Sequence, residues 1–387
     1  MQVFDIAYSD ALKLTMEIIN LYPVYDSKHQ KEAQEVLGEY LKLNGWNVFY
    51  DDFYYSQIKD FDFVRKPWDY DNYYDNYQSV VKHNLYAVLD SGLEGPTILL
   101  NGHIDVDIID KSNKMKSYRR SSVTEEGYLL GRGSTDMLFG LCSLAVVKNF
   151  LSGKKWKGKI IFTSVVDEEI GGNGSIRACQ WLKERGYFND ISNTCCIIAE
   201  PTNNLMCNQS MGFLPFNICI RSDSVHMNAQ SKANPIERLV SIINQIDSAK
   251  KRYTGLNFNI GWLTGGEDPS LPISNLEIRG VIAMTPETTL DDIKCLMTGI
   301  CEDCEIVFPN LQIEPYRIND SSFKSYDYLF QSACDAPVFG RYQIPTIIWG
   351  PGSLCQAHTH DEFINLNECK DYIRDLCNYI VDLAEGT

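Results

Sequence analysis

The run Phe162-Thr163-Ser164-Val165-Val166-Asp167-Glu168-Glu169-Ile170-Gly171-Gly172 decides the fold. Its first half is a short apolar strand, the pattern of a strand buried on both faces of a sheet. Its second half sets three acids side by side at the strand's carboxyl end. Like charges this close repel unless something positive lies among them. A solvated loop tolerates such a triplet, but here glycine-rich backbone follows at once and a helix starts after it.

Outward from this strand the pattern is α/β. Strands are expected at residues 84–89, 97–100, 159–166 and 194–199, with helices at 137–151 and 175–185 between them. Two amphipathic helices fill the first 45 residues. After residue 207 the style changes: a strand at 213–220, a helix at 235–249, strand-like sequence near 276–283, a helix opened by Thr288 or Thr289, and a strand at 305–308. This is the β-α-β-β-α-β order of a compact α+β unit. The chain closes with a strand at 346–349, a Gly350-Pro351-Gly352 turn and a helix at 366–383. The expected organisation is one discontinuous α/β domain, residues 1–206 and 313–387, interrupted by an inserted domain, residues 207–312. Residues 50–77, dense in Tyr, Phe and Asp without clear period, read as a surface excursion pinned by its aromatics; a rim over a pocket is the alternative.

Composition removes several function classes. Acids outnumber bases, 51 to 35, for a net charge of -16. A chain this acidic lacks the basic face that holds nucleic acid, and it is poorly suited to an anionic membrane. No apolar run reaches the roughly 18 residues needed to cross a bilayer, and the N-terminus lacks the features of a signal peptide. The 13 cysteines are odd in number and show no even framework. They read as reduced thiols of a cytoplasmic protein. Cys301 and Cys304 have a metal-binding spacing, but no second pair lies nearby.

Four further clusters resemble the acidic turn in placement. In Leu99-Leu100-Asn101-Gly102-His103-Ile104-Asp105 a strand ends at a histidine with a carboxylate two positions on, where it can accept the free ring N–H. In Gly131-Arg132-Gly133-Ser134-Thr135-Asp136 the acid opens an apolar helix, as a cap or as a metal-bridging carboxylate. Ile197-Ile198-Ala199-Glu200-Pro201-Thr202 ends another strand in an acid, and Ala357-His358-Thr359-His360-Asp361-Glu362 follows the last strand and its turn. Together these put His103, Asp136, Glu169, Glu200 and His358 at the carboxyl ends of α/β strands, where open sheets bind ligands. Every donor is N or O, which suits zinc, cobalt or manganese. Three carboxylates and one hydroxide balance two divalent ions.

The ordered motifs G-H-x-D, G-R-G-x-x-D-M, D-E-E-x-G-G-x-G, E-P-T and A-H-x-x-D-E resemble the co-catalytic zinc amidohydrolases, the family of acetylornithine deacetylase, succinyl-diaminopimelate desuccinylase, aminoacylases and glutamate carboxypeptidases. Residues 332–337 and 350–358 lean toward the acetylornithine deacetylase branch. The resemblance implies a zinc-exopeptidase-like catalytic domain, a mixed sheet flanked by helices, with a ferredoxin-like lid through which the chain forms a homodimer. It implies two divalent metals, zinc first. His103 and Glu200 would hold one, Glu169 and His358 the other, and Asp136 would bridge them. Asp105 would orient His103. Glu168 would be general base and then acid while a metal-bridging hydroxide attacks the amide. His226 would reach the partner subunit's site to stabilise the oxyanion; without the resemblance it reads as a surface histidine. Arg279 is a candidate anchor for a substrate carboxylate. The expected activity is deacylation of a small N-acyl amino acid. The alternatives are a dipeptidase or aminoacylase, a deformylase of an N-formyl heterocyclic amine, or a non-catalytic metal-binding dimer, against which Glu168 argues. The chain departs from the family pattern where Met137-Leu138-Phe139-Gly140 replaces a Lys and two glycines.

Overall fold

The computed structural model describes residues 3–25, 27–58, 80–108, 119–223, 234–318 and 327–385. In chain order the elements are α1 (Val3–Leu21), α2 (Lys28–Leu43), β1 (Asn47–Phe53), β2 (Lys82–Asp90), β3 (Thr97–His103), β4 (Ser122–Val123), β5 (Tyr128–Leu130), α3 (Phe139–Ala145), α4 (Lys148–Leu151), β6 (Lys159–Val165), α5 (Asn173–Glu184) and β7 (Thr194–Ile198). They continue with β8 (Gln209–Ser210), β9 (Gly212–Arg221), α6 (Pro235–Lys250), β10 (Asn257–Gly265), β11 (Asn275–Met284), α7 (Leu290–Ile300), β12 (Glu305–Val307), β13 (Tyr316–Arg317), β14 (Leu329–Phe330), α8 (Ala336–Arg341), β15 (Thr346–Ile348), β16 (Phe363–Asn365) and α9 (Leu366–Glu385).

The central sheet has six strands in the order β1-β2-β6-β3-β7-β15. Strands β6, β3, β7 and β15 run parallel, while β2 is antiparallel to β6 and β1 to β2. The sheet is mixed, with the carboxyl ends of four strands on one edge. Helices cover it because their apolar residues recur every three or four positions: Ala7, Ala11, Leu14 and Ile18 on α1 are all buried. Fully burying one Leu, Ile or Phe of this core contributes roughly 2–3 kcal/mol.

A second hydrophobic cluster lies between residues 214 and 301 and includes Phe216, Ile278, Ile242 and Met297. Its sheet, β10-β11-β9-β12, is antiparallel, and its chain order is the expected β-α-β-β-α-β. The caps are those the residue types dictate. Asn234 accepts from Ile236 N–H ahead of Pro235 on α6, and Thr289 and Asp292 form a capping box on α7.

Three expectations change. The helix at 137–151 is a turn, Ser134–Leu138, followed by α3 and α4. Over its 18 residues Ser134–Leu151 is apolar enough to cross a membrane by length and composition, with mean hydropathy 1.2, but 78% of it is buried in the core. Asp136 is therefore not in a helix's first turn: its φ is -117° and ψ 98°, and its peptide with Met137 is cis. Finally, the Tyr/Asp-rich stretch begins as β1, and Phe53, Tyr55 and Ile58 are core residues, not surface. Its two acids fall on opposite faces, Asp52 outward and Asp51 inward against Arg177, and this hid the alternation. Residues 59–77 of that stretch lie outside the described residues.

Candidate metal centre

The parallel strands deliver the site. His103 ends β3, Glu168 and Glu169 follow β6, Glu200 follows β7, and His358 lies in the loop after β15. Asp136 comes from the turn before α3. His103 Nε2 lies 3.1 Å from Asp136 Oδ1 and 3.8 Å from Glu200 Oε1. His358 Nε2 lies 2.9 Å from Glu169 Oε2 and 3.3 Å from Asp136 Oδ2. The two oxygens of Asp136 thus face different histidines. His103, Asp136 and Glu200 form one set whose donor atoms lie within 4.8 Å of one another, and Asp136, Glu169 and His358 form another. Glu169 Oε1 is buried without a hydrogen-bond partner among the described residues, which a cation would satisfy. Both sets fit a divalent ion by donor type.

Asp105 is fully buried beside His103, but His103 Nδ1 is nearest its backbone carbonyl, at 2.9 Å, with the carboxylate at 3.7 Å. The carboxylate instead accepts the Glu169 N–H at 3.2 Å. Asp105 therefore touches both the histidine and the acidic turn. Glu168 Oε2 lies 4.0 Å from His103 Nε2 and belongs to neither donor set. His360 is exposed and also outside them. His226 lies outside the described residues.

The electrostatics follow from burying so many acids together. Burial, reinforced by the field of Glu200, raises the Glu168 pKa well above the carboxylate range. Burial, with Asp136 next, does the same to Glu200. Burial lifts Asp105 to about 8. On Asp136 burial works the other way from the two imidazole hydrogen bonds, which win and hold its carboxyl below the usual range. On His103 burial opposes charge, but Asp136, Glu200 and Glu168 override it and raise the pKa well above ordinary. His358, facing Glu169 first of all, is lifted to about 12.

Glu362 closes the A-H-x-x-D-E motif, but the sequence alone assigned it no role. Glu362 is buried and its carboxylate accepts four hydrogen bonds: from Arg132 Nη1 at 2.7 Å, and from the backbone N–H groups of Gly133 (3.0 Å), Thr135 (2.9 Å) and Asp136 (3.0 Å). It fixes the turn that carries Asp136. Its place at the end of the His358 motif was the available signal, and only the fold reveals what it holds.

A cavity of about 460 Å³ opens on Glu169 and His358. Asp107 and Ile170 line it from the metal side, and Asn259, Trp262 and Arg279 from the β10–β11 sheet. The Arg279 guanidinium stacks 4.2 Å above the Trp262 ring and donates from Nε and Nη2 to Glu277 Oε1 at 3.1 and 3.0 Å.

Residues 99–382 match the family model of peptidase family M20/M25/M40. Among curated proteins the chain is similar to N-formyl-4-amino-5-aminomethyl-2-methylpyrimidine deformylase of Halalkalibacterium halodurans, at 24% identity over 345 residues, covering 74% of this chain and 79% of the relative. It is also similar to acetylornithine deacetylase of Buchnera aphidicola, at 26% identity over 333 residues, covering 77% and 84%. Among solved structures a di-peptidase of Saccharomyces cerevisiae superposes with TM-score 0.73 at 12% identity, covering 100% of this chain and 98% of that one; this likeness shows the fold. With a family match over most of its length and a donor arrangement suited to two cations, the chain belongs to peptidase family M20/M25/M40 and is a metal-dependent amidohydrolase.

Proposed function

We propose that the protein hydrolyses the amide of a small N-acyl amine. The observation that carries this is Asp136 shared between two three-residue donor sets, with Glu168 beside them and in neither. His103 and Glu200 would hold one divalent cation and Glu169 and His358 the other, with Asp136 common to both. Zinc is the first candidate. Two such ions polarise a carbonyl as Lewis acids and lower the pKa of water to about 7. Asp105 positions His103 and the Glu169 backbone. Glu168, its proton affinity raised by burial and by Glu200, takes a proton from the attacking water. It returns that proton to the amine nitrogen as the C–N bond breaks, a role typically contributing about 10²–10⁴-fold.

For the amine two classes compete. An N-acyl amino acid would need a cation for its carboxylate, and Arg279 is the one Lys or Arg among the described residues lining the cavity. That guanidinium is already engaged by Glu277 and stacked on Trp262. The wall therefore offers a flat stacking surface more than a free positive charge, which favours an N-formyl or N-acyl heterocyclic amine. We further infer a homodimer through the second sheet, supported by the exposed Ile260 and Leu263 on its edge strand β10. The 13 free thiols suit a reducing, cytoplasmic compartment.

The test is a substrate panel of N-formyl, N-acetyl and N-succinyl amines with dipeptides, before and after chelation. Turnover should vanish on chelation and return with zinc. Glu168→Gln should keep its metal and lose turnover. Hydrolysis that survives chelation would overturn the proposal.

A further inference from the structure

The first acid of the Asp167-Glu168-Glu169 triplet belongs to neither donor set, yet it is completely buried and its φ is 64°. A non-glycine residue in the left-handed region persists only where its surroundings hold it. Here the sheet register supplies them. Leu85 on β2 faces Ser164 on β6 in an antiparallel pair. Continuing that register past the end of β6 brings Lys82 opposite Asp167. Phe53 on β1 faces Lys82 in turn, so Tyr55 follows at the same sheet edge.

The side chains meet as this register requires. Lys82 Nζ lies 3.1 Å from Asp167 Oδ1 and 3.0 Å from Oδ2. The Tyr55 hydroxyl donates to Asp167 Oδ2 at 2.6 Å. The Lys82 ammonium also sits 5.2 Å from the Tyr55 ring centroid. All three residues are at most 3% exposed. Further along β2, Asn84 accepts the Val166 N–H at 3.1 Å and donates to the Gly174 carbonyl at 2.8 Å. Asp167 itself accepts the Gly172 N–H at 2.6 Å through its carbonyl. The turn carrying Glu168 is thus gripped on its outer side by β2 and by the start of the Tyr/Asp-rich segment.

We infer that Tyr55 and Lys82 are positioning residues for Glu168: by fixing Asp167 in its left-handed conformation they aim the next side chain at the reacting amide. This rests on the assignment of Glu168 as the proton carrier. It also gives the Tyr/Asp-rich segment a function at its described end, as an arm that sets the geometry of the acidic turn.

The test is Tyr55→Phe, which keeps the ring and removes only the hydroxyl. Misplacing a catalytic group by an ångström costs up to about 10²-fold, so kcat should fall about 10–100-fold while KM and zinc content stay at wild-type values. The neighbouring, exposed Tyr54→Phe should leave kcat unchanged. Lys82→Met should lower kcat in the same way, and Lys82→Arg should recover part of the loss. In a Glu168→Gln background Tyr55→Phe should cost nothing further, since there is no proton carrier left to aim. Wild-type kcat in Tyr55→Phe would overturn the inference. So would a loss in which kcat, KM and zinc content fall together, or one that persists undiminished in the Glu168→Gln background. Failure of the functional assignment reads differently: Glu168→Gln alone would then turn over normally.

Discussion

Glu362 Oε1 accepts the backbone N–H of Asp136 at 3.0 Å across a separation of 226 residues. The same carboxylate oxygen accepts from Thr135, and its other oxygen from Arg132 and Gly133. Four donors converge on one buried acid only four positions from His358. The loop that carries one donor set is thereby tied to the turn that carries Asp136.

Glu362→Gln replaces one acceptor oxygen with an NH₂ group. Whichever way the amide turns, two donors lose their acceptor and meet another donor. Outer residues of this kind typically govern metal affinity by about 10–100-fold. Zinc affinity, measured by competition with a fluorescent chelator, should fall by that much, with turnover recovering at saturating zinc. Unchanged affinity would remove Glu362 from this role.

His358→Ala separates the two donor sets. It removes a nitrogen from the set with Glu169 and leaves His103, Asp136 and Glu200 intact. Zinc content by elemental analysis should drop from two to one per chain, and turnover should be lost. Retention of both ions would show that His358 is not a ligand.

The parts of the site visible in sequence are those where local pattern and chemistry coincide. An apolar strand ending abruptly in a polar donor exposes His103, Glu169 and Glu200 without any fold. Asp136 was recognisable by its motif, but its backbone was not, because helix propensity in Met137–Leu141 gives no sign of the turn before α3. Glu362 and Asp167 stand in motifs the sequence shows, but their roles were silent for another reason. Their partners come from far along the chain, Asp136 in one case and Lys82 and Tyr55 in the other. Strands of two or three residues, such as β4, β8 and β13, are too short to show alternation. The strand at 47–53 was obscured because an acid stands on each face, Asp51 on one and Asp52 on the other, so the apolar alternation is broken.

Metal binding should be coupled to pH in a definite direction. The pKa of His358 rises from 6.5 to about 12 in the protein alone, and that of His103 rises as well. A histidine with a raised folded pKa adds stability that is complete below the unfolded value of about 6.5 and is lost as pH climbs toward the folded value. Glu168 and Glu200, also raised, act with the same sign, since folding there retains protons. The chelated protein should therefore lose stability progressively as pH rises above about 6.5. Zinc needs both imidazoles deprotonated, so its stabilisation should grow over the same range. Thermal melts with and without zinc should show a Tm gap that widens with pH. A gap that narrows would contradict the protonation states assigned here.

Packing holds position 140 to glycine. A Cβ at this position on α3 would lie 2.2 Å from the Ala199 carbonyl oxygen and 3.0 Å from the Ala199 side chain. On the other side a Cβ at Gly350 would meet the Ala199 and Glu200 carbonyls at 2.3 and 2.5 Å. The backbone at Ala199–Glu200 is held between two glycine surfaces, and backbone cannot swing aside as a long side chain can. Gly140→Ala should therefore cost about 1–3 kcal/mol, the usual range for overpacking, and weaken zinc binding by displacing Glu200. Gly299, exposed in α7 with nothing within 4 Å of its added Cβ, supplies the contrast. There the same substitution should stabilise by about 0.5–1 kcal/mol, because only the helical entropy term remains. Chemical denaturation of the two variants should give opposite signs; a neutral Gly140→Ala would mean that α3 can slide away from the strand end that positions Glu200.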